Sequence, residues 1–160
     1  MHTLPDPDLL KSLGNLGLVR FTDNVIFEAL SGGVSSDIWR VETDGHYFCV
    51  KRALAKLKVK ADWFAPIERN LFEVAWLQVA NEVDPGSAPL VLAHDAAAMV
   101  CAMAYLDPAT HSNWKSDLLA GKIDKTVASE VGARLGRIHS GTAGLEEIQP
   151  GLPDIEIFHA

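Results

Sequence analysis

Asp44-Gly45 lies between two runs that read as short strands, Ile38–Glu42 and Tyr47–Val50. An Asp-Gly pair at this spacing is a strong hairpin signal, because both residues tolerate the positive φ that a two-residue turn requires. A third candidate strand, Val25–Leu30, comes first, joined to them by Ser31-Gly32-Gly33-Val34-Ser35-Ser36-Asp37, a loop of glycines and short hydroxyls. Connections this short exclude a crossover helix, so the first fifty residues spell an antiparallel three-strand meander with Lys51 closing its last strand.

The remainder changes period. From Pro66 to Val83 the residues Ile67, Leu71, Val74 and Gln78 share one face at helical spacing, with Ala75 and Val79 beside them. Pro66 suits the first turn of that helix, and Asp84-Pro85-Gly86 stops it. Leu90–Ala93 and Met99–Leu106 read as strands, the second buried and ending at Asp107-Pro108. Helices are expected at Pro7–Leu16, Trp114–Leu119 and Lys125–His139, the last broken by Ser140-Gly141, with loop over the final twenty residues. The predicted class is α+β: an antiparallel sheet packed on one helix, followed by helices. Three regions follow: an N-terminal helical segment (1–24), the sheet unit (25–107) and a helical remainder (108–160).

Composition excludes several functions. A chain of 160 residues with 48% apolar and 22% charged residues has the make-up of one globular domain. A net charge of −7 argues against a nucleic-acid partner held by a basic surface. The longest apolar run, Ala96–Leu106, is about half of the ~20 residues that cross a bilayer, so no membrane partner is expected. The first ten residues carry aspartates and prolines instead of a basic and then apolar leader. Cys49 and Cys101 lie in apolar runs and read as buried thiols, which fits a cytoplasmic location. The histidines have no ligand spacing, so no metal site is expected.

The glycine loop and Lys51 are the residues that carry chemistry. Gly32 and Gly33 let backbone approach a ligand closely, and Val34, Ser35 and Ser36 add N–H and hydroxyl donors suited to phosphate oxygens. The loop joins strand to strand and no Lys-Ser or Lys-Thr follows it, so it is neither a Walker loop nor a dinucleotide fingerprint. Strand alternation puts Lys51 on the face of Cys49 and Tyr47, with Phe48 and Val50 opposite. A half-buried lysine needs a carboxylate, and the following helix offers Glu68 and Glu73. These point about 140° apart, so at most one faces the strand; periodicity slightly favours Glu68. Lys51, Arg52, Lys56, Lys58 and Lys60 form a basic cluster that is either a solvated face or a site for an anion.

Leu30-Ser31-Gly32-Gly33-Val34-Ser35-Ser36-Asp37-Ile38-Trp39-Arg40-Val41, then Phe48-Cys49-Val50-Lys51-Arg52-Ala53-Leu54, Glu68-Arg69-Asn70-Leu71-Phe72-Glu73 and Met103-Ala104-Tyr105-Leu106-Asp107 together resemble the first lobe of the protein-kinase-like fold. Within that fold they resemble the small-molecule branch, aminoglycoside phosphotransferases and methylthioribose kinases. The resemblance covers most of residues 25–145 and implies an ATP-dependent small-molecule phosphotransferase acting on an alcohol. It implies that Ser35 and the loop amides cover the phosphates, that Lys51 contacts the α- and β-phosphates, and that Glu73 pairs with Lys51. Ile38 and Cys49 would roof the adenine, Met103 would be the gatekeeper, and the backbone of Ala104 and Leu106 would meet the adenine edge. The family also uses a His-Gly-Asp loop, an asparagine and a Mg2+-binding aspartate. His139-Ser140-Gly141-Thr142 lacks the aspartate, so the expectation is the first half of such a kinase, without catalytic residues of its own. Mg2+ and the small-molecule acceptor are then expected only with the other half. The alternative is a non-catalytic fragment that binds nucleotide or a partner.

Overall fold

The computed structural model describes residues 7–20 and 22–144. Helix α1 (Pro7–Asn15) precedes strands β1 (Ile26–Ala29), β2 (Ser36–Thr43) and β3 (His46–Ala53). Helix α2 (Arg69–Val83), strands β4 (Val91–Asp95) and β5 (Val100–Ala104), and helices α3 (Trp114–Leu119) and α4 (Lys125–Thr142) follow. The five strands form one antiparallel sheet in the order β1-β2-β3-β5-β4. The α+β class and the meander are as the sequence predicts. Asp44 and Gly45 turn the β2–β3 hairpin with φ of 48° and 77°, positive at both positions as a type I′ turn requires.

The sheet is covered on both faces, and the expectation of one covering helix extends to two. Trp39, Val41, Phe48, Val50, Val100 and Ala102 form one core with Leu9 and Leu13 of α1. Cys101 and Met103 form the other with Val74 and Leu77 of α2, and Cys49 packs against it. The reason lies in β3 and β5, whose runs Phe48-Cys49-Val50 and Val100-Cys101-Ala102-Met103 are apolar on alternate and intervening positions alike. Truncating Leu9 or Leu13 to alanine removes about 2–5 kcal/mol, the usual cost for a fully buried leucine. Ser12 Oγ–H also donates to Asp95 Oδ2 at 2.7 Å, tying α1 to the β4–β5 turn.

Helix α2 differs from expectation in its start and its phase. It begins at Arg69, beyond Pro66, and its buried stripe is Asn70, Val74, Leu77 and Ala80 instead of the 67/71/74/78 face. Apolar residues lie all round this helix, so periodicity leaves its rotation free. The strands set it: His94 Nε2 and Asn70 Oδ1 are 2.9 Å apart, and Val74 and Leu77 settle on Cys101 and Met103.

Helix α4 continues through Ser140-Gly141 to Thr142, where a break was expected. A Cβ at Gly141 would collide with Val83 Cγ1, so this glycine allows α4 to press against the end of α2. Asp84 holds the same junction, accepting from Arg134 Nη1 at 2.9 Å and Arg137 Nε at 3.1 Å. Strand β5 ends at Ala104, short of Leu106, and starts after Met99, which takes a left-handed φ of 52° in the turn. Among the described residues no helix is long and apolar enough to cross a membrane. The expected loop over the last twenty residues lies, from Leu145 onward, outside the described residues.

Candidate functional site

Strand β3 runs two residues past Lys51, which therefore sits inside the sheet between Ile38 of β2 and Cys101 of β5. Phe48 and Val50 point into the α1 core, leaving Lys51 and Cys49 on the α2 face, as alternation requires. Lys51 Nζ donates to Glu73 Oε1, with the two side chains 21% and 37% exposed. The phase of α2 decides this pairing. Glu73 lies next to the Asn70–Val74–Leu77 stripe and faces the sheet, while Glu68 is exposed just before the first helical residue. The preference for Glu68 from periodicity is thus overturned. A half-exposed ion pair contributes only about 0–1 kcal/mol, so its main physical effect is to hold the Lys51 ammonium in place.

The glycine loop closes onto the same edge. Leu30 N–H donates to Ile38 O at 2.8 Å across its base. Gly32 has φ of 109°, a conformation open to glycine, and the space beside its Cα is empty. A Cβ on Gly33 would lie 3.0 Å from Ile38 Cδ1 and 3.0 Å from Ser36 O, so the loop lies directly over Ile38. Ser35 stays in the loop, whereas Ser36 is the first residue of β2 and buried, which encloses its hydroxyl instead of offering it to a ligand.

The back of the loop is tied down by residues that the sequence reading left without a role. Leu54 N–H donates to Ser35 O at 3.0 Å and Lys58 N–H to Val34 O at 2.7 Å. Arg69 gathers four carbonyls with one guanidinium: Nη2 donates to Ser35 O and to Leu54 O (2.7 Å), Nη1 to Pro66 O (2.5 Å) and Ala65 O (3.2 Å). One signal for it was present. An arginine in the first turn of a helix opposes the helix dipole and needs some other reason to be there.

Arg52, Lys56 and Lys58 of the basic cluster have carboxylates close by. Lys56 Nζ meets Asp62 at 2.6 Å, Lys58 Nζ meets Asp37 at 2.7 Å, and Arg52 reaches Asp37 at 3.7 Å. Lys51 is the member of the cluster held on the α2 face beside the loop.

Cys49 pairs in register with Met103, and both pack beneath α2. Burial pushes the Cys49 thiol up to about 11 and the Cys101 thiol to about 12, so both are neutral near pH 7. Ala104 N–H is committed to Leu90 O at 2.8 Å, so it is not a donor for a ligand edge. Leu106 follows the strand and is exposed.

Arg40, the register partner of Cys49, extends this face toward the β2–β3 turn. Its guanidinium lies 4.3 Å from the Tyr47 ring centre and 5.6 Å from that of Tyr105, and donates to Glu28 at 2.8 Å. These groups border an open cavity of about 690 Å3 with Asp107 at its rim. The arrangement therefore offers a fixed ammonium beside a glycine loop, then an apolar patch, then an aromatic-walled hollow. A Lys-held anion with a flat apolar group attached matches that order.

No protein-family model matches the chain, and no curated protein matches it.

Proposed function

We propose that residues 25–107 bind ATP, as the nucleotide-holding part of a phosphotransferase that acts on a small-molecule alcohol. The observation that carries this reading is the Lys51–Glu73 pair, set on the sheet face directly beside the loop that Gly33 folds over Ile38. A lysine held by a helix carboxylate presents its remaining N–H donors in one direction, and loop amides at Gly32–Ser35 can share the charge of adjacent phosphates. The residues fit the nucleotide: Lys51 and the loop amides would hold the phosphates, while Ile38, Cys49, Met103, the Ala104 carbonyl and the Leu106 N–H would border the base. Bound there, ATP supplies the γ-phosphoryl group for transfer.

A second reading, a nucleotide-binding unit that works against a partner protein without transfer, draws on a different observation. Leu119, the last residue of α3, and Ile123, just before α4, are 80% and 79% exposed, a pair of large apolar side chains open to a partner.

The test is a calorimetric ATP titration of the full chain and two lysine variants. Lys51→Ala should weaken binding by on the order of 1–3 kcal/mol, the value of a charge-assisted contact. Lys56→Ala, which removes an exposed pair with Asp62, should bind as the unmodified chain does. Equal losses from both variants, or no ATP binding at all, refute the proposal.

A further inference from the structure

The face of the sheet away from Lys51 carries a second concave site, independent of the nucleotide proposal. Helix α1 buries Leu9, Ser12 and Leu13, so its opposite stripe, with Leu10, Lys11, Gly14 and Asn15, is turned outward. That stripe, Val25 just before β1 and Phe27 of β1 border an open cavity of about 840 Å3. Gly14 forms part of its wall, and a Cβ there would meet nothing nearer than Val19 O at 4.0 Å. Leu10 is 41% exposed toward this space, an apolar surface without a covering partner among the described residues.

The cations at this cavity are the second observation. Lys11 and Arg20 both line it, and among the described residues neither side chain is paired with a carboxylate. Arg40, Lys51, Arg52, Lys56, Lys58, Lys122, Arg134 and Arg137, by contrast, each meet a carboxylate. Asp23 also lines the cavity, but its Oδ2 is turned back to accept from Arg20 N–H at 2.6 Å and lies 3.5 Å from Thr43 Oγ1. An apolar hollow with two uncommitted cations favours one ligand class. We propose that this cavity binds a small organic acid with a single anionic head and an apolar body, the head between Lys11 and Arg20 and the body over Gly14 and against Phe27.

The experiment is an amide NMR titration of the full chain with sodium decanoate, with decanol as the uncharged comparison. Decanoate should give saturable shifts at Gly14, Asn15, Asn24 and Val25, with affinity about tenfold above that of decanol, as one good charge-assisted contact provides. The double variant Lys11→Gln/Arg20→Gln should lose about that tenfold, because both changes lie on the surface and leave the core intact. Gly14→Leu, which fills the wall, should abolish binding, its folding checked by circular dichroism. Shifts that do not saturate, shifts centred on Leu119 and Ile123, decanoate affinity no higher than that of decanol, or undiminished decanoate affinity in the double variant overturn the proposal.

Discussion

Replacing Arg69 with lysine keeps the positive charge and removes the planar fork that reaches four carbonyls. Two of those acceptors, Ala65 and Pro66, belong to the turn just before α2 and lie within four residues of Arg69. The other two, Ser35 and Leu54, lie 34 and 15 residues away in sequence and link the glycine loop to the end of β3. A lysine amino group can satisfy one or two of the four, not two separate pairs at once. Hydrogen bonds to a charged donor are worth about 1.5–3 kcal/mol each, and water competes at this half-buried site. Losing the two long-range bonds should therefore cost about 2–4 kcal/mol. Against a typical total of about 5–15 kcal/mol that is a large share, equivalent to a fall in Tm on the order of 10 °C. Urea unfolding followed by circular dichroism measures the global loss. Hydrogen exchange at the Leu54 and Lys58 amides measures the local one, since both donate into the loop that Arg69 holds. A loss below about 0.5 kcal/mol, together with unchanged protection of those two amides, would show that the loop is held by its backbone bonds alone.

Other outcomes follow from single contacts. Gly141→Ala should destabilise by about 1–3 kcal/mol through overlap with Val83, and Val83→Ala in the same chain should restore most of it. Gly136→Ala, in the same helix with nothing within 4 Å, should instead stabilise by up to about 1 kcal/mol; thermal melts of the three variants decide the matter. Alkylation of Cys49 should be very slow at pH 7, accelerate toward pH 11 and slow further under saturating ATP, as read by mass spectrometry; rapid labelling at neutral pH would contradict the burial of that thiol. Burial lowers the affinity of His94 for a proton in the folded state, so the unfolded chain takes up that proton first as pH falls below about 6.5. Stability should decline from there downward, and His94→Gln should remove that decline. Asp95 is held below the usual carboxylate range, first by the Ser12 hydroxyl, and Asp84 first by Arg137. Their contributions are complete above about pH 4 and disappear as pH falls through their lower folded values, a second step that Ser12→Ala should diminish in acid-denaturation curves.

What the sequence determined by itself was local. Asp44-Gly45 dictates its hairpin because the required φ angles belong to those two residues alone. The face of Lys51 follows from a period of two, and the start of α3 from Asn113, whose side chain accepts from Ser116 N–H at 3.0 Å. Each depends on neighbours within a few residues, so a one-dimensional pattern contains the cause. The rotation of α2 does not. With apolar residues all round, its own sequence permits Glu68 or Glu73 to face the sheet, and contacts with Cys101, Met103 and His94 select Glu73. The second layer, α1, is likewise decided by strands that are apolar on both faces, and Gly141 is read as a helix breaker until Val83 is seen beside it. Arg69 is the extreme case. Its acceptors are backbone carbonyls, which every residue possesses, so no residue type marks them in the sequence and only the folded chain brings Ser35 and Leu54 within reach of one side chain.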